Sequence, residues 1–292
     1  MSQTKSGWFD ILNYVVLSII VLACVYPFYY IFIYSISDSR LAQTGISLLP
    51  AGFTLDHYIS IFKLNNIYQA FFVSLSRAVI GTLITLFCCS FFSYLLTKEA
   101  MYFRKLIYRF LVVTLYFNAG LIPWYLTMKY LGLKNNFLLY ILPGAVVGFF
   151  VILMKTFIEQ LPAALEESAM IDGAGYFTIF SRIIVPLSGP IIATIAVYCS
   201  VGQWNTWTDN FFLVSNPKLQ TLQLILYNYL NSANNYANQT MQELNQGSAA
   251  RAVTPESIKM TITMIVTIPI MLVYPFLQRY FVKGIMLGAI KG

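Results

Sequence analysis

Residues 158–190 read IEQLPAALEESAMIDGAGYFTIFSRIIVPLSGP, an amphipathic passage set between two long apolar runs. Two short helices joined by a turn are written into it. Pro162 suits a first helical turn, and Leu165, Glu166, Glu167, Ser168, Ala169 and Met170 are compatible with helix. Gly173 can stop that helix in a left-handed conformation, and Asp172 can cap the helix that follows. Beyond it Tyr176, Ile179, Phe180, Ile183 and Leu187 recur at helical spacing as an apolar stripe, and Pro186 and Pro190 punctuate the exit. A helix of this kind either lies on lipid or docks a partner protein. Glu159, Glu166, Glu167 and Asp172 would be repelled by an anionic lipid surface, whereas a partner's Arg or Lys could pair with them. Docking is the favoured reading.

The surroundings say which solvent the chain meets. Of 292 residues, 58% are hydrophobic and 10% are charged, against about 25% charged in an ordinary soluble domain. A soluble protein of this length needs a charged exterior that 18 Lys/Arg and 11 Asp/Glu cannot supply. About 20 mostly apolar residues cross a bilayer, and six stretches qualify: Ile11–Tyr34, Ala70–Leu96, Leu106–Leu131, Phe137–Phe157, Pro190–Val214 and Met260–Tyr280. The expected fold class is therefore all-α, a polytopic membrane protein with six transmembrane helices. The first run is too long for a secretory h-region and is read as a retained span.

Lys98, Arg104, Lys105 and Arg109 flank the second connection, and Arg279, Lys283 and Lys291 lie at the tail. By the positive-inside rule both termini are cytoplasmic, which also puts the 158–189 connection inside and the 215–259 connection outside. Arg77 then falls near the outer face, where it can snorkel in a structural role. The external 215–259 segment is rich in amides, among them Asn234, Asn235, Gln242 and Asn245. It is either a solvated connector or an arm that docks a partner or reaches toward a polar, uncharged ligand.

Several chemistries are excluded. The net charge of +7 comes without a basic-aromatic cluster, so nucleic acid is not a partner. Cys24, Cys88, Cys89 and Cys199 lie inside apolar runs with no metal-ligand spacing, and the sole histidine, His57, has no second ligand nearby, so no metal site is expected. No Gly-rich phosphate loop occurs, so the chain binds no ATP itself. Scattered carboxylates around a lone histidine make no acid/base set, and no enzyme activity is expected.

Glu167-Ser168-Ala169, then Ile171-Asp172-Gly173-Ala174 and Ile184-Val185-Pro186, resembles the coupling-loop motif of importer permeases of the ATP-binding-cassette superfamily, with Ser168 where Ala is usual. Trp204-Asn205, Asn216-Pro217-Lys218 with Thr221-Leu222, and the tail from Tyr280 to Gly292 are similar to carbohydrate permeases of the maltose-transporter type. The tail looks like the smaller, six-span partner, in the subgroup linked with complex and uronate-containing oligosaccharides. The resemblance implies a single permease domain over 1–292 in the bacterial cytoplasmic membrane. It further implies a second permease, two ATP-binding subunits that hold ATP and Mg, and an extracellular solute-binding protein. Coupling would run through Glu166, Glu167, Ser168, Ala169, Asp172, Gly173, Ala174 and Pro186.

For the sugar path two groups of side chains offer aromatic faces and paired amides or carboxylates. One is Trp204, Asn205, Trp207, Asp209 and Asn210 in the fifth span; the other is Tyr116, Asn118 and Trp124 in the third. The tryptophans could equally be interface anchors, and Asn205 a brace between helices. Permeation of an amino acid, peptide or phosphate is the alternative within the same class. An ion-coupled secondary transporter would want inverted repeats and mid-membrane acids, which are not seen.

Overall fold

The computed structural model describes residues 7–42, 48–63, 65–231 and 254–289, with the side chains of 63, 65, 274 and 276–289 excepted. The fold is helical, and among the described residues the one bridge of extended chain joins Ser37 to Phe53. The chain forms two compact units, Met1–Asn65 with Leu226–Ile268 and Asn66–Ile225 with Pro269–Gly292.

In the first unit α1 (Trp8–Ser35) starts at Gly7, whose amide donates to the Asp10 carboxylate at 3.2 Å, and carries Pro27 inside. Its residues from Phe9 to Phe32 leave large apolar side chains exposed on every side, a surface suited to lipid. A short turn of helix, α2 (Ser39–Ala42), and α3 (Asp56–Lys63) follow. His57 is buried and braces this loop. Its Nε2 lies 3.0 Å from the Ser37 carbonyl and 3.3 Å from the Ser39 hydroxyl, which in turn meets Ser257 Oγ at 2.8 Å.

The second unit is organised around α4 (Asn65–Thr97), a 33-residue helix. Next come α5 (Arg104–Thr114) and α6 (Leu121–Tyr130), then a 3-10 turn Phe137–Tyr140 and α7 (Gly148–Ile158). The third span expected over Leu106–Leu131 is thus interrupted. Gly120 takes a left-handed φ of 81° and its amide is held by Asn118 Oδ1 at 2.9 Å, which closes a turn where a single helix was expected. The fourth run is interrupted too, since Pro143 and Gly144 end the 3-10 turn before α7 begins.

Free backbone groups in such a break need partners when water is absent, and α4 supplies them. Thr85 Oγ1 donates to the Gly144 carbonyl at 2.8 Å and the Val147 amide reaches Cys89 Sγ at 3.3 Å; one turn further on, Ser93 Oγ donates to the Val151 carbonyl inside α7 at 2.9 Å.

The connection 158–190 folds into α8 (Ala163–Ile171) and α9 (Tyr176–Ile179), a π turn over Phe180–Ile184, and α10 (Val185–Leu187). It leads into α11 (Gly189–Asn205), α12 (Thr208–Leu213), α13 (Leu222–Asn231) and α14 (Pro255–Ala289). Two near-right-angle bends frame it: α8 is bent 79° from α7, and α11 is bent 82° from the Tyr176–Leu187 segment. Among the described residues three helices are long and apolar enough to cross a membrane, and the two bent pairs bring that to as many as five.

Candidate functional site

Two constellations in the second unit carry the chemistry. The first is the crosswise segment between the bends. α8 closes as the sequence predicts, with Gly173 at φ 79°. The Gly173 amide donates to the Met170 carbonyl at 3.0 Å and the Ala174 amide to the Ala169 carbonyl at 2.9 Å, the paired bonds of a left-handed helix stop. Asp172 is the last cap of α8 rather than the start of the next helix; Gly175 begins α9 instead. The apolar stripe also differs from its prediction. Ile179, Phe180 and Ile184 are buried while Leu187 stays 43% exposed, because the π turn inserts one residue and rotates the face after Phe180.

That buried face packs on Tyr94 of α4, Met154 and Ile158 of α7 and Ile195 of α11, with Ala169 and Ala174 against the same cluster. Phe91 and Phe180 meet edge-on with centroids 5.2 Å apart. In lipid such contacts hold helices by dispersion and fit, because tails are as apolar as the side chains.

Glu166 is turned toward its own chain. It pairs with Lys98, whose ammonium lies 4.2 Å above the Tyr94 ring. Glu167, Ser168, Asp172, Gly173 and Pro186 are exposed, and so are the apolar Ile171, at 86%, Met170 and Phe177. A Cβ at Gly173 would meet nothing within 4 Å. The outward surface therefore combines exposed apolar side chains, Ile171 foremost, with the carboxylates of Glu167 and Asp172, and the two alanines serve the inner side.

The second constellation lies at the break of the fifth apolar run, between Asn205 and Thr208. Arg77, 3% exposed, does not snorkel; it is taken up inside the protein. Its Nη1 and Nη2 hold the two oxygens of Asp209 at 3.0 and 2.6 Å, its Nε donates to Gln203 Oε1 at 3.0 Å, and Nη1 also reaches the Thr206 carbonyl at 3.0 Å. The Tyr140 ring lies 4.7 Å beneath the guanidinium, and the Tyr140 hydroxyl donates to the Leu219 carbonyl at 2.6 Å. Asn210, fully buried, donates to that hydroxyl and to the Leu219 carbonyl. A charge this deep is tolerated because the fork meets a carboxylate, an amide oxygen and a carbonyl at once.

Of the expected path residues, Asp209 and Asn210 are thus committed to this network, and Trp204 is buried against Phe71, ring centroids 6.2 Å apart. Asn205 is exposed and Trp207 half-buried. In the other group Trp124 packs on the cluster around Tyr140 and Leu213, Tyr116 is 82% exposed, and Asn118 serves the Gly120 turn. The structure does not gather these three into one site.

Sequence reasoning does not single out Gln203, Tyr140 or Lys98 as site residues. An arginine and an aspartate in two apolar runs are candidates for pairing with each other, and that signal leads to Gln203 and Tyr140. A groove of about 410 Å³ between α4, α11 and α14 is lined by small and apolar residues such as Ala78, Ala196 and Pro269. Its lining holds few polar groups, the hydroxyls of Thr82 and Ser200 among them. Among the described residues no group of His, Cys, Asp and Glu could hold a metal. The expected amide-rich stretch from Asn234 to Gln246 and the final residues 290–292 lie outside the described residues.

Residues 101–287 match the family described as binding-protein-dependent transport system inner membrane component. The chain is 35% identical over 289 residues to the polygalacturonan/rhamnogalacturonan transport system permease protein YtcP of Bacillus subtilis (strain 168), covering 99% of this chain and 100% of that one. It is 36% identical to protein LplC of the same organism, covering 100% and 98%. Among solved structures, a chain of a bacterial ABC transporter involved in import of the acidic polysaccharide alginate superposes with a TM-score of 0.87 at 29% identity, over 96% of this chain and 100% of that chain.

Proposed function

The chain belongs to the family of inner membrane components of binding-protein-dependent transport systems, and from that premise we propose that its cargo is an oligosaccharide carrying uronate residues. It is a transport subunit and not an enzyme: nucleotide is bound by partner ATPases, and a second permease and a solute-binding protein complete the importer. The full-length relationship to a permease named for polygalacturonan and rhamnogalacturonan supports the choice of sugar. The superposition on an alginate importer chain supports the acidic class.

In this reading the chain crosses the bacterial cytoplasmic membrane six times with both termini inside. The 158–189 connection lies at the cytoplasmic face, and 215–259 faces out. ATP closes the partner ATPases on the surface that carries Ile171, Glu167 and Asp172, which the left-handed Gly173 holds in place by closing α8. The crosswise α8 and α9 pass that motion to α4, α7 and α11 through the core around Tyr94. Sugar then moves along the face that this chain shares with its sibling, and Asn205 and Trp207 are its contacts in this chain.

The deciding experiment reconstitutes the chain with its sibling permease, ATPase and binding protein in liposomes and measures ATP-driven accumulation of short oligogalacturonates. Accumulation of oligogalacturonate over neutral maltotriose is expected. Uptake of an amino acid or phosphate in place of either sugar would refute the reading.

A further inference from the structure

An interrupted helix strands its last carbonyls, which need partners wherever water does not reach them. α11 ends at Asn205 and α12 restarts at Thr208, so the Thr206 carbonyl faces that problem. The solution comes from another helix. Arg77 of α4 donates to Thr206 O at 3.0 Å while its fork holds Asp209, in the first turn of α12, and Gln203, in the last turn of α11. Asp209 Oδ1 also receives the Asn210 amide at 2.7 Å. One guanidinium therefore touches both helix pieces and the joint between them. The fit behind it is close. Gln203 lies against Gly81, where an added Cβ would stand 2.9 Å from its Nε2, and against Gly144, where the figure is 3.4 Å.

We infer that Arg77 is a positioning residue for solute passage: it fixes the break in the fifth span and thereby sets the direction in which Asn205 and Trp207 are presented. Arg77 is too deeply buried to meet the solute, whereas Asn205 is exposed immediately before the joint and Trp207 sits within it, its ring 5.8 Å from that of Phe211. The inference rests on the assignment of those two residues to the sugar path.

A merely structural ion pair can be replaced by apolar residues of similar volume with little loss of fold. A positioning pair cannot be replaced so without altering the joint. The test uses the double variant Arg77→Met/Asp209→Leu in the assembled transporter. Expected are normal assembly, basal ATP hydrolysis within about twofold of wild type, and a half-saturating concentration of sugar-loaded binding protein raised about tenfold or more, with a smaller change in maximal rate. Wild-type half-saturation in this variant overturns the inference.

A second measurement does not depend on the solute. In a chain whose native cysteines are replaced, Cys89 by serine to keep an acceptor for the Val147 amide and the other three by alanine, Asn205→Cys is labelled with a membrane-impermeant maleimide with and without the double variant. A labelling rate changed about fivefold or more is expected, and an unchanged rate overturns the inference even if the cargo proves not to be a sugar. Absence of sugar uptake by the wild type, with the labelling shift present, would count against the cargo assignment alone. If the double variant fails to assemble, Arg77→Lys, which keeps the charge but not the planar fork, is judged on the same two readouts and by the same criteria.

Discussion

Arg77 and Asp209 stand 132 positions apart in sequence and form a two-pronged ion pair with both side chains almost wholly buried. Removing one partner strands the other charge, at a cost of about 3–5 kcal/mol, whereas replacing both is far milder. Asp209→Asn should accordingly lower the melting temperature of the detergent-purified assembly markedly, and Arg77→Met/Asp209→Leu should restore most of it. A single variant that melts with wild type would show that Gln203, the Thr206 carbonyl and the Tyr140 ring suffice to hold the guanidinium without the carboxylate.

Gly173 holds a φ of 79° with open space around the position of a Cβ. A substitution there is strained by backbone and not by crowding, and the left-handed conformation costs an ordinary residue roughly 1–2 kcal/mol. Gly173→Val should reduce binding-protein-stimulated ATP hydrolysis at least tenfold with the chain still inserted. Gly173→Asn should keep much of the activity, because asparagine tolerates this conformation. Equal damage from both variants would mean that steric contact with a partner, and not backbone strain, causes the loss.

Lys98 and Glu166 tie the end of α4 to α8. Glu166→Gln should weaken the response of ATP hydrolysis to loaded binding protein, and the exchange Lys98→Glu/Glu166→Lys should recover part of it. Hydrolysis and uptake measured in proteoliposomes decide this. Glu167→Gln, at an exposed site, should instead weaken association with the ATPase, read as ATPase retained on the purified permease pair at rising salt.

The hydroxyls of Thr85 and Ser93 serve the carbonyls of Gly144 and Val151. Thr85→Val should cost about 1–3 kcal/mol by leaving a buried carbonyl unpaired. Because the two hydroxyls sit about two helical turns apart on α4 and serve different carbonyls, Thr85→Val and Ser93→Ala should add nearly independently in thermal unfolding.

What was legible in the sequence is local. Pro162, Gly173 and Pro186 mark a helix stop and two boundaries within a few residues of themselves, and the α8 ending forms at the glycine that predicts it. The stripe from Tyr176 failed after Phe180 because a π turn leaves no mark in residue periodicity. The third and fourth runs looked continuous because the residues that break them, Asn118 with Gly120 and Pro143 with Gly144, are few and are flanked on both sides by apolar residues. The break before α7 survives because Thr85 and Cys89 of α4 satisfy it, and that pairing is invisible in either segment alone. The same distance hid the site. Asp209 and Asn210 read as ligand-facing because an intramembrane carboxylate and amide invite that reading, while the guanidinium and phenol that occupy them come from elsewhere in the chain.

α4 has a consequence beyond packing. Its first half carries Arg77, fastened to the joint of the fifth span, and Lys98, one residue past its other end at Thr97, is fastened to α8. The two anchor points are separated by roughly 30 Å along a helix rising about 1.5 Å per residue. Over that length a tilt of about 5° displaces the far end by roughly 2–3 Å, more than the slack of a hydrogen bond. α4 then behaves as a rocker beam, and a push delivered at one of its ends must be answered at the other by a change in the angle of the fifth span.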